Sequence, residues 1–388
     1  MSDGMLKKYY QFELGQVCSR LSSGKGIAAK EISEHGVYPV FGGNGLRGYS
    51  DRKNFEGQCA IIGRQGAFCG NVRFFSGEAY MTEHAVVVCA NEKSDIKYLS
   101  YLLGTLNLGR LSGQSAQPGL SVKTLSKQVI QLPDISKQRQ IAKVLSAFDE
   151  KIELNTQINH NLEEQAKAIF KSWFLDFSAL DNPDFYSYEG VTCPVGWRVS
   201  YLADIADYLN GLAMQKYRPD EGDFGYPVLK IKELRQRMCD KDSERCSFHI
   251  KPEYIVHDGD VIFSWSGSLL VDFWCGGECG LNQHLFKVSS TKYDKWFYYS
   301  WTQYHLNEFI AIAADKATTM GHIKREHLQS ATVLVPPADI YNEIGKLLGP
   351  IYEAITRNRI ESKMLAQLRD SLLPKLMSGE IDVSEVEV

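Results

Sequence analysis

The sequence lacks the marks of a membrane or exported protein. No run of about 18 apolar residues occurs in its 388 residues, and no basic stretch followed by an apolar one opens the chain. It also lacks CxxC pairs. Its nine cysteines, an odd number, argue for reduced thiols in a cytoplasmic protein rather than a disulfide framework. Cys275 and Cys279, with His284 nearby, match no common zinc spacing, so no metal is expected.

Catalytic signatures are missing as well. A P-loop needs GxxxxGK followed by Ser or Thr to cradle phosphates, and Ser22-Ser-Gly-Lys-Gly26 has neither the spacing nor the hydroxyl. An amino-methyltransferase needs an Asn/Asp-Pro-Pro-aromatic loop, whereas Asn182-Pro-Asp-Phe185 breaks the proline pair. No carboxylates followed closely by Glu-x-Lys suggest a metal-dependent nuclease. His84 and His284, next to Glu83 and Gln283, are the best catalytic-looking pair, yet a structural histidine at a strand start explains them better than a base. No enzymatic activity and no cofactor are expected.

What the chain does contain is a repeat. Residues 129 to 177 align without a gap on residues 332 to 380, placing Pro133 on Pro336, Ile141 on Ile344, Lys143 on Lys346, Leu145 on Leu348, Asn155 on Asn358 and Leu162 on Leu365. Within the first copy, positions 141, 145, 148, 152, 155, 159, 162, 166, 169 and 173 step alternately by four and three, which is a heptad seam. It turns polar midway, at Asn155 and Asn159, as the second copy does at Asn358 and Ser362. Each helix could pack on its own domain. If instead the two pair side by side, chain order makes them antiparallel, about 39 residues and roughly 58 Å long at 1.5 Å per residue. Asn155 and Asn358 would then meet at a pseudo-twofold centre and fix the register.

The globular stretches are related more loosely. Tyr38-Pro39-Val40 matches Tyr226-Pro227-Val228, and 61 to 88 matches 261 to 288 through Ile62, Gly77, Glu78, His84 and Val88. Short β-rich runs at 59–63, 85–89, 260–264 and 285–288, separated by Gly-rich loops, predict two α+β domains of one fold with few helices. A length of 388 residues with 44% apolar and 23% charged residues suits two to three soluble domains.

The run Gln138-Arg-Gln-Ile-Ala-Lys-Val-Leu-Ser-Ala-Phe-Asp-Glu-Lys-Ile-Glu-Leu-Asn155, the closing Leu372-Leu-Pro-Lys-Leu-Met-Ser-Gly-Glu-Ile381 and the turn Ser115-Ala-Gln-Pro-Gly-Leu-Ser121 resemble the specificity subunit of type I restriction-modification enzymes. The resemblance spans nearly the whole chain. It implies two target recognition domains at 1–135 and 179–337, each reading one half of a split, asymmetric site on double-stranded DNA. The long helices at 136–178 and 338–378, followed by a tail at 379–388, would space them and dock two methyltransferase subunits. Adenine-N6 methylation and ATP-dependent cleavage would reside in those subunits and in restriction/translocase subunits. One departure is the second turn, where Thr318-Thr-Met-Gly-His-Ile-Lys324 replaces the Gln-Pro-Gly pattern.

Charge supports DNA binding unevenly. Residues 1 to 130 carry a net +5 and residues 181 to 333 a net −5. Affinity depends on charges placed at phosphates, so a local basic face is needed in the second domain. Lys230, Lys232, Arg235, Arg237 and Lys241 are its candidates, although that spacing also suits a solvated face; Lys216, Lys324 and Arg325 extend the set. In the first domain Lys25, Asn44, Arg47, Tyr49, Arg64 and Gln65 collect in or beside Gly-rich turns, with Gln114 and Gln117 before the helix. Arg suits guanine, and Asn or Gln suits adenine, because each forms a paired hydrogen bond to a base edge. The remaining alternative is a coiled-coil adaptor joining protein partners without DNA.

Overall fold

The computed structural model describes residues 9–112, 119–188, 190–315 and 321–383. Two units emerge, one formed by residues up to Lys151 together with those from Leu365 onward, the other by Ile152–Met364. The fold is α+β. Among the described residues, no helix is long and apolar enough to cross a membrane.

The first unit is built on a six-stranded sheet in the order 18–23, 85–90, 55–63, 72–81, 38–42, 45–50. All neighbours are antiparallel except 38–42 with 72–81, where Val40 pairs with Tyr80 and Phe41 with Met81. Ile96–Thr105 starts as a helix because Asp95 accepts the Tyr98 N–H as its N-cap. Tyr10–Glu13 pairs with Val129–Leu132, the strand that leads into the first long helix. The core gathers Leu14, Ile62, Val86, Val88, Leu99 and Leu103 with Ile141 and Leu145 of that helix and Leu376 of the second.

The second unit repeats this plan with one break. Its strands form two four-stranded sheets, ordered 207–210, 285–289, 261–264, 270–273 and 245–246, 226–229, 279–281, 255–256. The counterpart of the first unit's Val72–Met81 is split into Leu270–Phe273 and Cys279–Leu281. The parallel pairing survives, as Val228 with Gly280 and Leu229 with Leu281. Arg198–Tyr201 pairs with Thr332–Val335, the strand before the second long helix. The sequence reading of few helices misses Lys295–Asp315, which buries Trp296, Phe297, Trp301 and Phe309. Aromatic residues fill this core, with Phe170 edge-on to Trp301 at 5.1 Å and Phe174 edge-on to Trp197 at 5.4 Å.

The long helices run Ile135–Phe174 and Ala338–Ser378. Within each unit their segments are antiparallel. In the first, Lys137 pairs with Asp382 at 3.4 Å and Asp149 with Arg369. In the second, Asn155 donates to Ser362 at 3.2 Å and Asn358 donates to Asn159 at 2.9 Å.

Asn155 and Asn358 do meet, but that pattern corrects the expected pairing of their side-chain amides. Their side-chain amides do not bond each other: Asn155 Nδ2 reaches Glu361 Oε2 at 2.8 Å and the Asn358 carbonyl at 3.4 Å. Seam steps of four and three explain why. Were Asn155 to face Asn358, a four-residue step on one helix would meet a three-residue step on the other, and the seam would slip after one layer. Placing the centre between positions 155 and 159 sets equal steps against each other.

Candidate nucleic-acid interface

One end of the first unit's sheet brings separate turns together. The Lys25 N–H donates to the Met81 carbonyl at 2.9 Å, the Arg64 N–H to His84 at 2.9 Å and the Leu120 N–H to Arg64 at 2.9 Å. The 42–45 hairpin turn lies against them, since a Cβ on Gly43 would meet the His84 carbonyl at 3.1 Å. Gly45 has a φ of 99° and faces the Arg73 guanidinium, so a side chain there would be strained and would collide.

Of the residues predicted to contact DNA, Lys25, Asn44 and Arg47 are exposed here and Arg64 and Gln65 half-buried, whereas half-buried Tyr49 lies farther along the hairpin, paired with Pro39. Among the described residues, neither Lys25 nor Arg47 is paired with a carboxylate. Arg64 is held in place: its Nε donates to the Leu120 carbonyl at 3.2 Å and its Nη1 to the Glu83 carbonyl at 3.5 Å. Gln114 and Gln117 lie outside the described residues, as does most of the 115–121 turn.

The second unit rebuilds the same hydrogen-bond skeleton from different side chains. The Leu212 N–H donates to Leu281 at 2.9 Å, the Trp265 N–H to His284 at 3.4 Å and the Ile323 N–H to Trp265 at 3.0 Å. Gln65 bridges to Gly119 in the first unit and Ser266 to His322 in the second. Trp265 therefore stands where Arg64 stands. Its indole N–H donates to Asn210 Oδ1 at 2.9 Å, and its ring lies 6.1 Å from that of His284. Reasoning from sequence passed over Trp265 and Asn210. The match of 61–88 on 261–288 uses an offset one short of the one that superimposes Gly63-Arg-Gln-Gly66 on Ser264-Trp-Ser-Gly267.

The basic stretch expected to face DNA in this unit is largely spent on carboxylates. Lys230 pairs with Glu244 at 2.7 Å, Lys232 with Asp240 at 3.1 Å and Arg237 with Asp272 at 2.8 Å. Lys230 holds the Glu244 carboxyl below its ordinary range, and Asp240 holds the Lys232 ammonium above its own. Arg235 and Lys216 are exposed, and among the described residues neither has an ion pair. Lys324 pairs with Glu326 at 3.3 Å, beside exposed Arg325 at a helix start.

The family model for the type I restriction modification DNA specificity domain matches residues 7–164 and again residues 194–363. The chain belongs to that family. This specificity subunit is 28% identical over 310 residues to the type I restriction enzyme MjaIX specificity subunit of Methanocaldococcus jannaschii, spanning 75% of the chain and 70% of the relative. It is 41% identical over 140 residues to the EcoprrI specificity subunit of Escherichia coli, 35% of each. The solved S subunit from M. genitalium matches 97% of the chain and 98% of its own length with a TM-score of 0.63 at 15% identity, a likeness of fold.

Burial pushes Cys275 and Cys246 up to about 11 and Cys59 up to about 12, so none is a ready nucleophile at neutral pH. Among the described residues, Cys275, Cys279 and His284 do not converge as ligands. The one group that does, Asp220, Asp223 and His249, is exposed.

Proposed function

We propose that the specificity subunit reads a bipartite, asymmetric sequence on duplex DNA, one part through each of the two turn clusters, and directs methyltransferase subunits to it. The observation that carries this reading is one backbone skeleton dressed with different side chains: Arg64 and Gln65 in one unit, Trp265 and Ser266 in the other. Matched skeletons present side chains in the same pose, and unlike side chains select unlike bases. Globular domains 1–135 and 179–337 are assigned to recognition. Helices 136–178 and 338–378 are assigned to spacing and to docking two methyltransferase subunits, which restriction/translocase subunits join for cleavage.

Methylation mapping in a host expressing the chain with its methyltransferase subunit tests the reading, alongside mass measurement of the purified complex. A split motif and two methyltransferase copies are expected. An unsplit motif, or one copy at saturation, overturns it.

A further inference from the structure

We propose that Glu83 reads the exocyclic amino group of a base in the half-site of the first unit, and that Gln283 takes the corresponding position in the second. The proposal rests on the DNA-recognition reading and names side chains which that reading leaves unassigned.

The two residues occupy one structural position. Each sits in the turn joining the strand that ends at Met81 or Leu281 to the strand that begins at Ala85 or Leu285. Each turn is pinned identically, with the Thr82 N–H donating to Phe41 at 2.9 Å and the Asn282 N–H to Leu229 at 3.2 Å. Each is followed by a histidine whose carbonyl accepts the N–H of Arg64 or Trp265. The turn therefore stands at the middle of each cluster.

In the first unit the chemistry is unusual for its surroundings. Glu83 adds a carboxylate to a turn whose backbone bonds Lys25 and Arg64, yet that carboxylate has no ion pair with Lys25, Arg47 or Arg64. Its Oε1 lies 3.2 Å from His84 Nε2 and its side chain is 43% exposed. Its Oε2 is buried without a partner, so the exposure falls on Oε1 and the methylenes. An ionised carboxylate only accepts hydrogen bonds, and in the major groove the donors are cytosine N4 and adenine N6. A carboxylate amid cations that it does not neutralise costs phosphate affinity, a cost compensated where it meets a base amino group. Gln283 differs in kind: its Nε2 lies 3.4 Å from His284 Nε2, and His284 Nδ1 lies 3.0 Å from Ser266 Oγ. That leaves an amide oxygen and a second N–H, the donor and acceptor pair that suits adenine.

The test is selection of a randomised duplex library by the full chain in complex with its methyltransferase subunit, comparing wild type with Glu83→Gln, Glu83→Ala and Gln283→Glu. Glu83→Ala is expected to lose about tenfold or more in discrimination at one position of one half-site. If that base is cytosine, Glu83→Gln shifts preference toward adenine; if it is adenine, Glu83→Gln retains it. Gln283→Glu should change one position in the other half-site only. A Glu83→Ala profile equal to wild type, or weaker on every sequence alike, overturns the assignment of Glu83. A lowered melting temperature with unmoved preferences reduces it to a structural residue and overturns it equally. A wild-type complex with no preference at all refutes the underlying reading instead.

Discussion

Asn155 and Asn358 occupy equivalent places in the repeat, yet replacing them with leucine should move stability in opposite directions. Asn155 is 1% exposed and its Oδ1 has no partner, while its Nδ2 serves Glu361 and Ser362, both half-buried and able to recover water. Asn155→Leu removes an orphaned acceptor and adds apolar burial, a gain of roughly 1 kcal/mol. Asn358 Nδ2 is the donor to Asn159 Oδ1 at 2.9 Å, and Asn159 is itself 7% exposed. Asn358→Leu strands that oxygen at a cost of about 1 to 3 kcal/mol.

Replacing Asn159 together with Asn358 should abolish the penalty, leaving a coupling between the two of about 0.5 to 3 kcal/mol. The readout is built in: all six tryptophans lie in the second unit, so tryptophan fluorescence during urea unfolding follows that unit. In thermal unfolding the expected differences correspond to roughly 2 to 4 °C per kcal/mol for a unit of this size. Asn155→Leu and Asn358→Leu shifting stability in the same direction, or an additive cycle for 159 and 358, would refute the placement of the seam centre.

Other consequences are as specific. Asp272 accepts Arg359 at 2.6 Å and Arg237 at 2.8 Å, and the Asp272 and Arg359 side chains are 8% and 10% exposed. Asp272→Ala should cost about 3 kcal/mol or more by leaving Arg359 a buried charge. Glu163→Ala, removing that arginine's half-exposed partner, should cost less than about 1 kcal/mol; equal losses in denaturant titrations would contradict the network. Arg47→Ala should cost about 1 to 3 kcal/mol on the cognate duplex and alter discrimination in one half-site, with uniform weakening marking a phosphate contact instead. Deleting one heptad from both long helices should change the spacer tolerated in methylation mapping, and an unchanged spacer would show that the helices do not set it.

The long helices and the paired units were legible because both rest on backbone period. A constant offset and a step of four and three survive side-chain divergence; they led to helices expected at 136–178 and 338–378, where the structure has Ile135–Phe174 and Ala338–Ser378. Charge placement was not legible. Lys232 finds Asp240 eight residues on and Arg237 finds Asp272 thirty-five residues on, separations that a count of net charge does not resolve. The strand break at Trp274 to Glu278 has no counterpart in the sister unit, and Lys295–Asp315 extends to 21 residues a helix that its sister keeps to the 10 of Ile96–Thr105, so both follow from packing inside one unit.

The interface lies between these cases. Its turns could be found from glycine, because close backbone crossing excludes a Cβ: one on Gly24 would collide with the Met81 carbonyl, and one on Gly211 with those of Leu281 and Asn282. The side chains the turns carry obey no such rule. Main-chain hydrogen bonds at this end of the sheet hold an arginine at 64 and a tryptophan at 265 in one frame without depending on either. A frame indifferent to its side chains lets target sequence change by substitution while the fold stays intact. The same indifference hid Trp265 from an alignment of residues, since what the two units share there is backbone bonding.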